Sequence, residues 1–219
     1  MNSEYFVDKK KLMNKQIFLK WLKINSLCFV GAFILIFILV QLFPDIMLGF
    51  WGGWASLISM TGVKGAAEFS PNFNTFIQIF YRNSISVFIV FFVGLLLVAP
   101  LIMVMYGVFY SLVVSLAPLT GVTFTIVDWI LVAIEILFMI ISATFASTLA
   151  TEIFGVKPEI KQFLEWWKRQ LTDWKNFWLL PEQKRNWRVV FKENIKELIF
   201  FLIIILVLLL FGALVEVWG

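Results

Sequence analysis

Histidine is absent from this sequence, and Cys28 is its single cysteine. Transition-metal sites built on imidazole or clustered thiolates therefore have no ligands. Ser-His-Asp and Cys-His nucleophilic sets are ruled out for the same reason. One cysteine forms no intrachain disulfide, and Cys28 sits inside an apolar run, which argues against redox chemistry. No Gly-rich phosphate loop or dinucleotide fingerprint appears. The expectation is a non-enzyme with no cofactor and no metal. Charge is also scarce, at 15% of residues, whereas 61% are hydrophobic. That balance excludes an ordinary soluble domain. The apolar runs are solid rather than alternating, so helices are expected and a β-barrel is not. The fold class that follows is all-α: a polytopic transmembrane helical bundle of five spans plus a cytoplasmic amphipathic helix.

Residues 1–23 form a basic tail that holds Lys9, Lys10, Lys11, Lys15, Lys20 and Lys23. The apolar run behind it, with no small-residue cleavage site, reads as an uncleaved first span over 24–43. Residues 44–75 form a connection. Its apolar part, IMLGFWGGWASLISM, is short for a span and rich in Trp and Gly, which suits an interfacial or re-entrant segment. Residues 76–118 would run about 64 Å as one straight helix, twice the hydrocarbon thickness. They must fold back, and the Ala99-Pro100 step divides them into spans 76–98 and 100–117. A fourth span follows at 124–149 and a fifth at 197–215.

Residues 151–196 differ in kind, with ten Lys or Arg and five Trp. Ile160, Phe163, Leu164, Trp167, Leu171, Trp174 and Trp178 recur at helical steps, opposite Lys161, Lys168 and Arg169. One reading places Trp167, Trp174, Trp178, Lys168 and Arg169 at the membrane interface. The other packs the helix on its own bundle, and both stay open. With five spans, the basic tail and this segment share one side and hold sixteen of the eighteen Lys and Arg residues. The positive-inside rule then puts the N-terminus in the cytoplasm and the C-terminus outside a cell membrane. The partners expected are the bilayer and anionic headgroups on the cytoplasmic side. The charges are mixed and membrane-adjacent, so nucleic acid is not expected.

Glu135 lies near the middle of the fourth span, where a carboxyl costs a few kcal/mol to bury. Asp128 and Ser142 stand seven residues to either side, so the three mark one face. This stripe is a candidate proton or cation site, and the competing reading is one Glu135 hydrogen-bonded across a helix interface. Tyr106, mid-span in the preceding helix, is the first candidate for its partner. Gln78, Arg82 and Asn83 make a polar patch where the second span begins, and Arg82 is expected to snorkel to the outer interface. Gly94 and Gly107 read as close-packing sites. Ala143, Ala146 and Ser147 form a small-residue seam for a helix contact, within the chain or in a homo-oligomer. Another membrane protein as partner also stays open.

The stretch FIQIFYRNSISVFIVFFVGLLLVAPLIMVMYGVFYSLVVS resembles the second and third spans of the stage II sporulation protein M family. Asn83, Gly94 and Gly107 match its pattern, with Tyr106 standing where that family has a second Asn. Glu135 fits a Glu of the next helix, with Leu131 and Val132 replacing a His-Gly pair. The ending GALVEVWG, with Glu216, is similar to the family's last helix. The resemblance spans Phe76 to Glu216. It implies five spans with the N-terminus inside and a role as a scaffold that recruits peptidoglycan-processing partners. For wider members it implies suspected transport.

Overall fold

Gly155 ends the longest helix among the described residues in a left-handed conformation (φ 68°), and its amide bonds back to the Thr151 carbonyl at 2.8 Å. Only glycine takes up this conformation without a steric penalty, so the chain breaks there. At the helix's other end Thr125 and Asp128 form a reciprocal capping box. In the computed structural model, which describes residues 15–60, 71–118, 123–172 and 185–218, eight helices follow in order. They are α1 (Lys15–Leu42), α2 (Pro44–Met60), α3 (Phe73–Gly94), α4 (Ala99–Leu116), α5 (Ile126–Phe154), α6 (Ile160–Thr172), α7 (Trp187–Glu193) and α8 (Ile195–Trp218). No strand occurs among the described residues.

Five of these, α1, α3, α4, α5 and α8, are long and apolar enough to cross a membrane. The chain is an all-α polytopic bundle and reads as a multi-pass membrane protein. Large apolar side chains such as Leu35, Phe92, Phe200 and Phe211 point outward. Lipid is the solvent that tolerates such a surface, because each helix satisfies its own backbone.

Several boundaries differ from those read in the sequence. The helix expected over 24–43 starts at Lys15, because the KQIFLKWLK segment, though it carries three lysines, is amphipathic and packs Ile17, Phe18 and Trp21 on the core. The fourth span, α5, runs past Ala150 to Phe154, so residues 151–154 do not belong to the charged segment. The third helix ends at Gly94 rather than at residue 98. Leu97 takes a positive φ of 58° and is fully buried in that turn. Val98 caps α4, with Pro100 in its first turn, where a missing amide costs nothing. The short apolar segment of residues 46–60 lies in α2, whose 17 residues span about 25 Å.

α5 is the hub, packing on α1, α3, α4, α7 and α8. Its half nearest Gly155 is sealed, with every residue from Ser142 to Thr151 buried. α1 crosses α4 so closely at Gly107 that a Cβ there would lie 3.0 Å from the Ala32 Cβ. Ser111 supports the same crossing by donating to the Phe33 carbonyl at 2.8 Å. α3 meets α5 at Gly94, where a Cβ would lie 2.8 Å from the Ala146 Cβ. Lipid tails are as apolar as leucine, so this close backbone approach, rather than burial from water, holds the helices together. The N-terminus of α1 and the α5–α6 connection share one end, fixed by the Trp21 indole donating to the Thr151 hydroxyl at 2.7 Å. This end is called the basic end below, and the opposite one the far end.

Candidate functional site

The polar groups of the apolar helices gather at two levels. Toward the basic end, Asn25 and Thr144 are fully buried, and the Asn25 amide donates to the Thr144 hydroxyl at 3.3 Å. Ser147, Thr148 and Thr151 donate back to carbonyls four residues earlier in α5. These hydroxyls are satisfied within their own helix, so they add polarity to the seam without opening a path through it.

Glu135 belongs to the other level. It lies nine residues into α5, about 13 Å along the axis from Ile126. The Tyr110 hydroxyl of α4 donates to its Oε2 at 2.6 Å. The expected partner, Tyr106, instead stacks on Tyr110 with ring centroids 6.3 Å apart. The reason is directional. Side chains lean toward the N-terminus of their helix, and α4 starts at the basic end. The Tyr110 ring therefore reaches about a turn deeper than its own Cα and meets the Glu135 level.

The expected stripe does not persist. Asp128 is half-buried and spent on the cap, its Oδ2 accepting from the Thr125 amide and hydroxyl, both at 2.8 Å. Ser142 is fully buried and donates to the Val87 carbonyl of α3 at 3.1 Å, whereas Glu135 turns to α4. A straight helix drifts about 20° per seven residues, and these three positions span two such steps. Their separate partners complete the division.

The polar patch on α3 also divides. Asn83 is buried, in line with Ile79 and Val87, whereas Gln78 and Arg82 lie on the exposed side. Arg82 does more than snorkel, because its guanidinium pairs with Glu216 Oε1 of α8 at 3.3 Å. Glu216 was visible in the sequence only as part of the closing GALVEVWG, and nothing there pointed to Arg82. Phe76 packing on Trp218 at 5.8 Å sets the far ends of α3 and α8 side by side. Arg82 lies within electrostatic reach of both Glu135 and Glu216, and the two carboxyls lie within reach of each other.

The small residues are used inside the chain. Ala143 and Ala146 are fully buried facing Gly94, and Ser147 is buried beside them. In this fold the seam lies between helices of one chain. Trp167 of α6 is half-buried against the core, its indole donating to the Leu97 carbonyl at 3.0 Å. It is therefore turned onto the bundle, not free in a headgroup layer. Ile160, Leu164 and Lys168 of α6 are exposed. Arg169 lies on α6, but its side chain is outside what is described, as are Trp174 and Trp178 altogether. A cavity of about 590 Å³ opens between α3 and α8, lined by apolar side chains such as Phe80, Phe91, Phe201 and Leu209. Its lining suits hydrocarbon and gives an ion no route. No group of three or more acidic or Cys residues that could hold a metal occurs among the described residues. Compared with family models, curated proteins and solved structures, the chain matches none.

Proposed function

We propose that this protein is a non-catalytic membrane scaffold, a five-span body in which Glu135 fixes helix packing and whose charged segment at the basic end meets partners. The observation that carries this reading is the sealed half of α5, where every side chain from Ser142 to Thr151 is buried and the hydroxyls bond within the bundle. A transport path would need a hydrated route past that seam. The scaffold role is also what the resemblance to the stage II sporulation protein M family implies. The basic end faces the cytoplasm of a cell membrane, because the tail and the 151–196 segment hold sixteen of the eighteen Lys and Arg residues. The exposed Ile160, Leu164 and Lys168 suit α6 to an anionic membrane surface.

A second reading, a small transporter or channel subunit handling protons or cations at Glu135, is favoured by the Arg82–Glu216 pair reaching the same level from α3 and α8. Gradient-driven flux in proteoliposomes separates the two. The scaffold reading predicts no proton or cation flux above protein-free vesicles. Flux that Glu135→Gln abolishes, in a variant that still folds, would overturn it.

A further inference from the structure

Among the described residues, two carboxyls and one guanidinium face one another between α3, α5 and α8 in the far half of the bundle. α5 supplies Glu135, α8 supplies Glu216 and α3 supplies Arg82. Tyr106 and Tyr110 are the only titratable side chains of α4, and α1 has no ionisable side chain beyond Lys23 except Cys28. Asp128 is held in the α5 cap by the Thr125 amide and hydroxyl, and Asp45 belongs to α2, which packs on α1 and α4. Fully ionised, the three facing groups carry two negative charges against one positive. An uncompensated charge among apolar helices is among the costliest things a membrane protein can bury.

One oxygen shows where the imbalance falls. Glu216 Oε1 pairs with Arg82, but Glu216 Oε2 is fully buried and has no hydrogen-bond partner among the described residues. The Glu216 side chain is 7% exposed, so solvent does not supply that partner. α5 and α8 touch one turn away, where a Cβ on Gly212 would lie 3.4 Å from the Ile134 side chain. Glu216 follows Gly212 by four residues and Glu135 follows Ile134 by one, so both carboxyls flank the same contact.

We propose that this cluster binds one proton, held between Glu135 and Glu216, as the counter-charge that makes the Arg82 site neutral. The proton turns one carboxylate into a carboxylic acid, which gains an O–H donor, and the other carboxylate keeps Arg82 as its ion-pair partner. A proton suits the site better than a multivalent metal cation, because no group of three or more acidic or Cys side chains occurs among the described residues. This binding does not depend on whether the protein transports anything, and its failure would leave the scaffold reading standing.

Infrared difference spectroscopy of the full chain in lipid nanodiscs tests it by counting protonated carboxyls at neutral pH. Spectra of wild type minus each variant cancel the remaining acids. The expected count is one in wild type, none in Glu135→Gln and none in Glu216→Gln, since each amide leaves one carboxylate against Arg82. Arg82→Gln should raise the count to two, and Arg82→Lys should return it to one. A monodisperse, helical protein with a cooperative melt qualifies each variant, and the two Glu→Gln changes keep shape and volume if Arg82→Gln does not fold. Wild type without a protonated carboxyl, or either Glu→Gln variant retaining one, overturns the proposal. A band that disappears when sodium replaces choline at constant pH overturns it too, because the counter-charge would then be a metal cation.

Discussion

Tyr110 holds Glu135: its hydroxyl donates to the carboxyl at 2.6 Å across the α4–α5 interface and fixes the one acidic side chain in the middle of α5. Tyr106, one turn away, has the same chemistry but stacks on the Tyr110 ring. Tyr110→Phe therefore removes the donor and leaves a buried acceptor unmet, at a cost of about 1–3 kcal/mol. Tyr106→Phe should cost less than half as much. Reversible unfolding in mixed micelles measures both, and equal losses would show that the pair acts as one aromatic unit rather than through the hydroxyl.

Glycine substitutions should divide sharply by position. Gly107→Ala drives a methyl into the α1–α4 crossing, and Gly94→Ala drives one against Ala146. Each should lower stability by about 1–3 kcal/mol, as overpacking does in well-packed cores. Gly31 has nothing within 4 Å of its would-be Cβ. Gly31→Ala should therefore be neutral or gain up to about 1 kcal/mol from helix propensity. Thermal melts of the three variants make the comparison, and the same ordering is expected in any detergent that preserves the fold.

Much of the fold was legible in the sequence, because span-length apolar runs have few other readings. Hydropathy marks where a helix is apolar and not where it is helical. Lys15–Lys23 therefore joined α1 unannounced, and Thr151–Phe154 joined α5. Gly155 was the available stop signal for α5, but the apolar run had already ended. The candidate site was half legible. Glu135 stood out because a carboxyl in an apolar run is rare, and the preceding span was the right place to seek its partner. The lean of side chains toward the helix N-terminus selects Tyr110 over Tyr106, and spacing alone does not carry that. The Arg82–Glu216 pair joins residues 134 positions apart. No local pattern predicts which face of α3 meets which face of α8.

Trp167 anchors α6 to the bundle. Its indole ties α6 to the Leu97 carbonyl, in a turn whose buried leucine has a positive φ. A left-handed non-Gly residue costs about 1–2 kcal/mol, which the surrounding contacts must offset. Trp167→Phe keeps an aromatic ring and removes the donor, costing about 1 kcal/mol. Amide hydrogen exchange should accelerate across α6 and in the 95–98 turn, with α1 and α8 unchanged. Unaltered exchange in α6 would mean that its other contacts suffice to hold it.

Ala146→Leu tests the small-residue seam. Ala146 is fully buried facing Gly94, so the larger side chain must separate α3 from α5. The expected outcome is a loss of about 1–3 kcal/mol with no change in oligomeric state, since the seam is internal. Light scattering with detergent correction reads the assembly, and dissociation of an oligomer without loss of monomer stability would place the seam between chains instead.

Glu135 sits in a helix contact with Tyr110, which makes a dry site rather than a water path. Thiol accessibility in proteoliposomes tests it most directly, using Glu135→Cys in a Cys28→Ser background and a membrane-impermeant thiol reagent applied from each side in turn. Asn186→Cys, just before α7 in the charged segment, serves as the accessible control. The prediction is that position 135 stays unlabelled from both sides until the protein is denatured, while position 186 labels from one side. Rapid labelling of position 135 in the folded protein would contradict the account and make Glu135 part of a hydrated route.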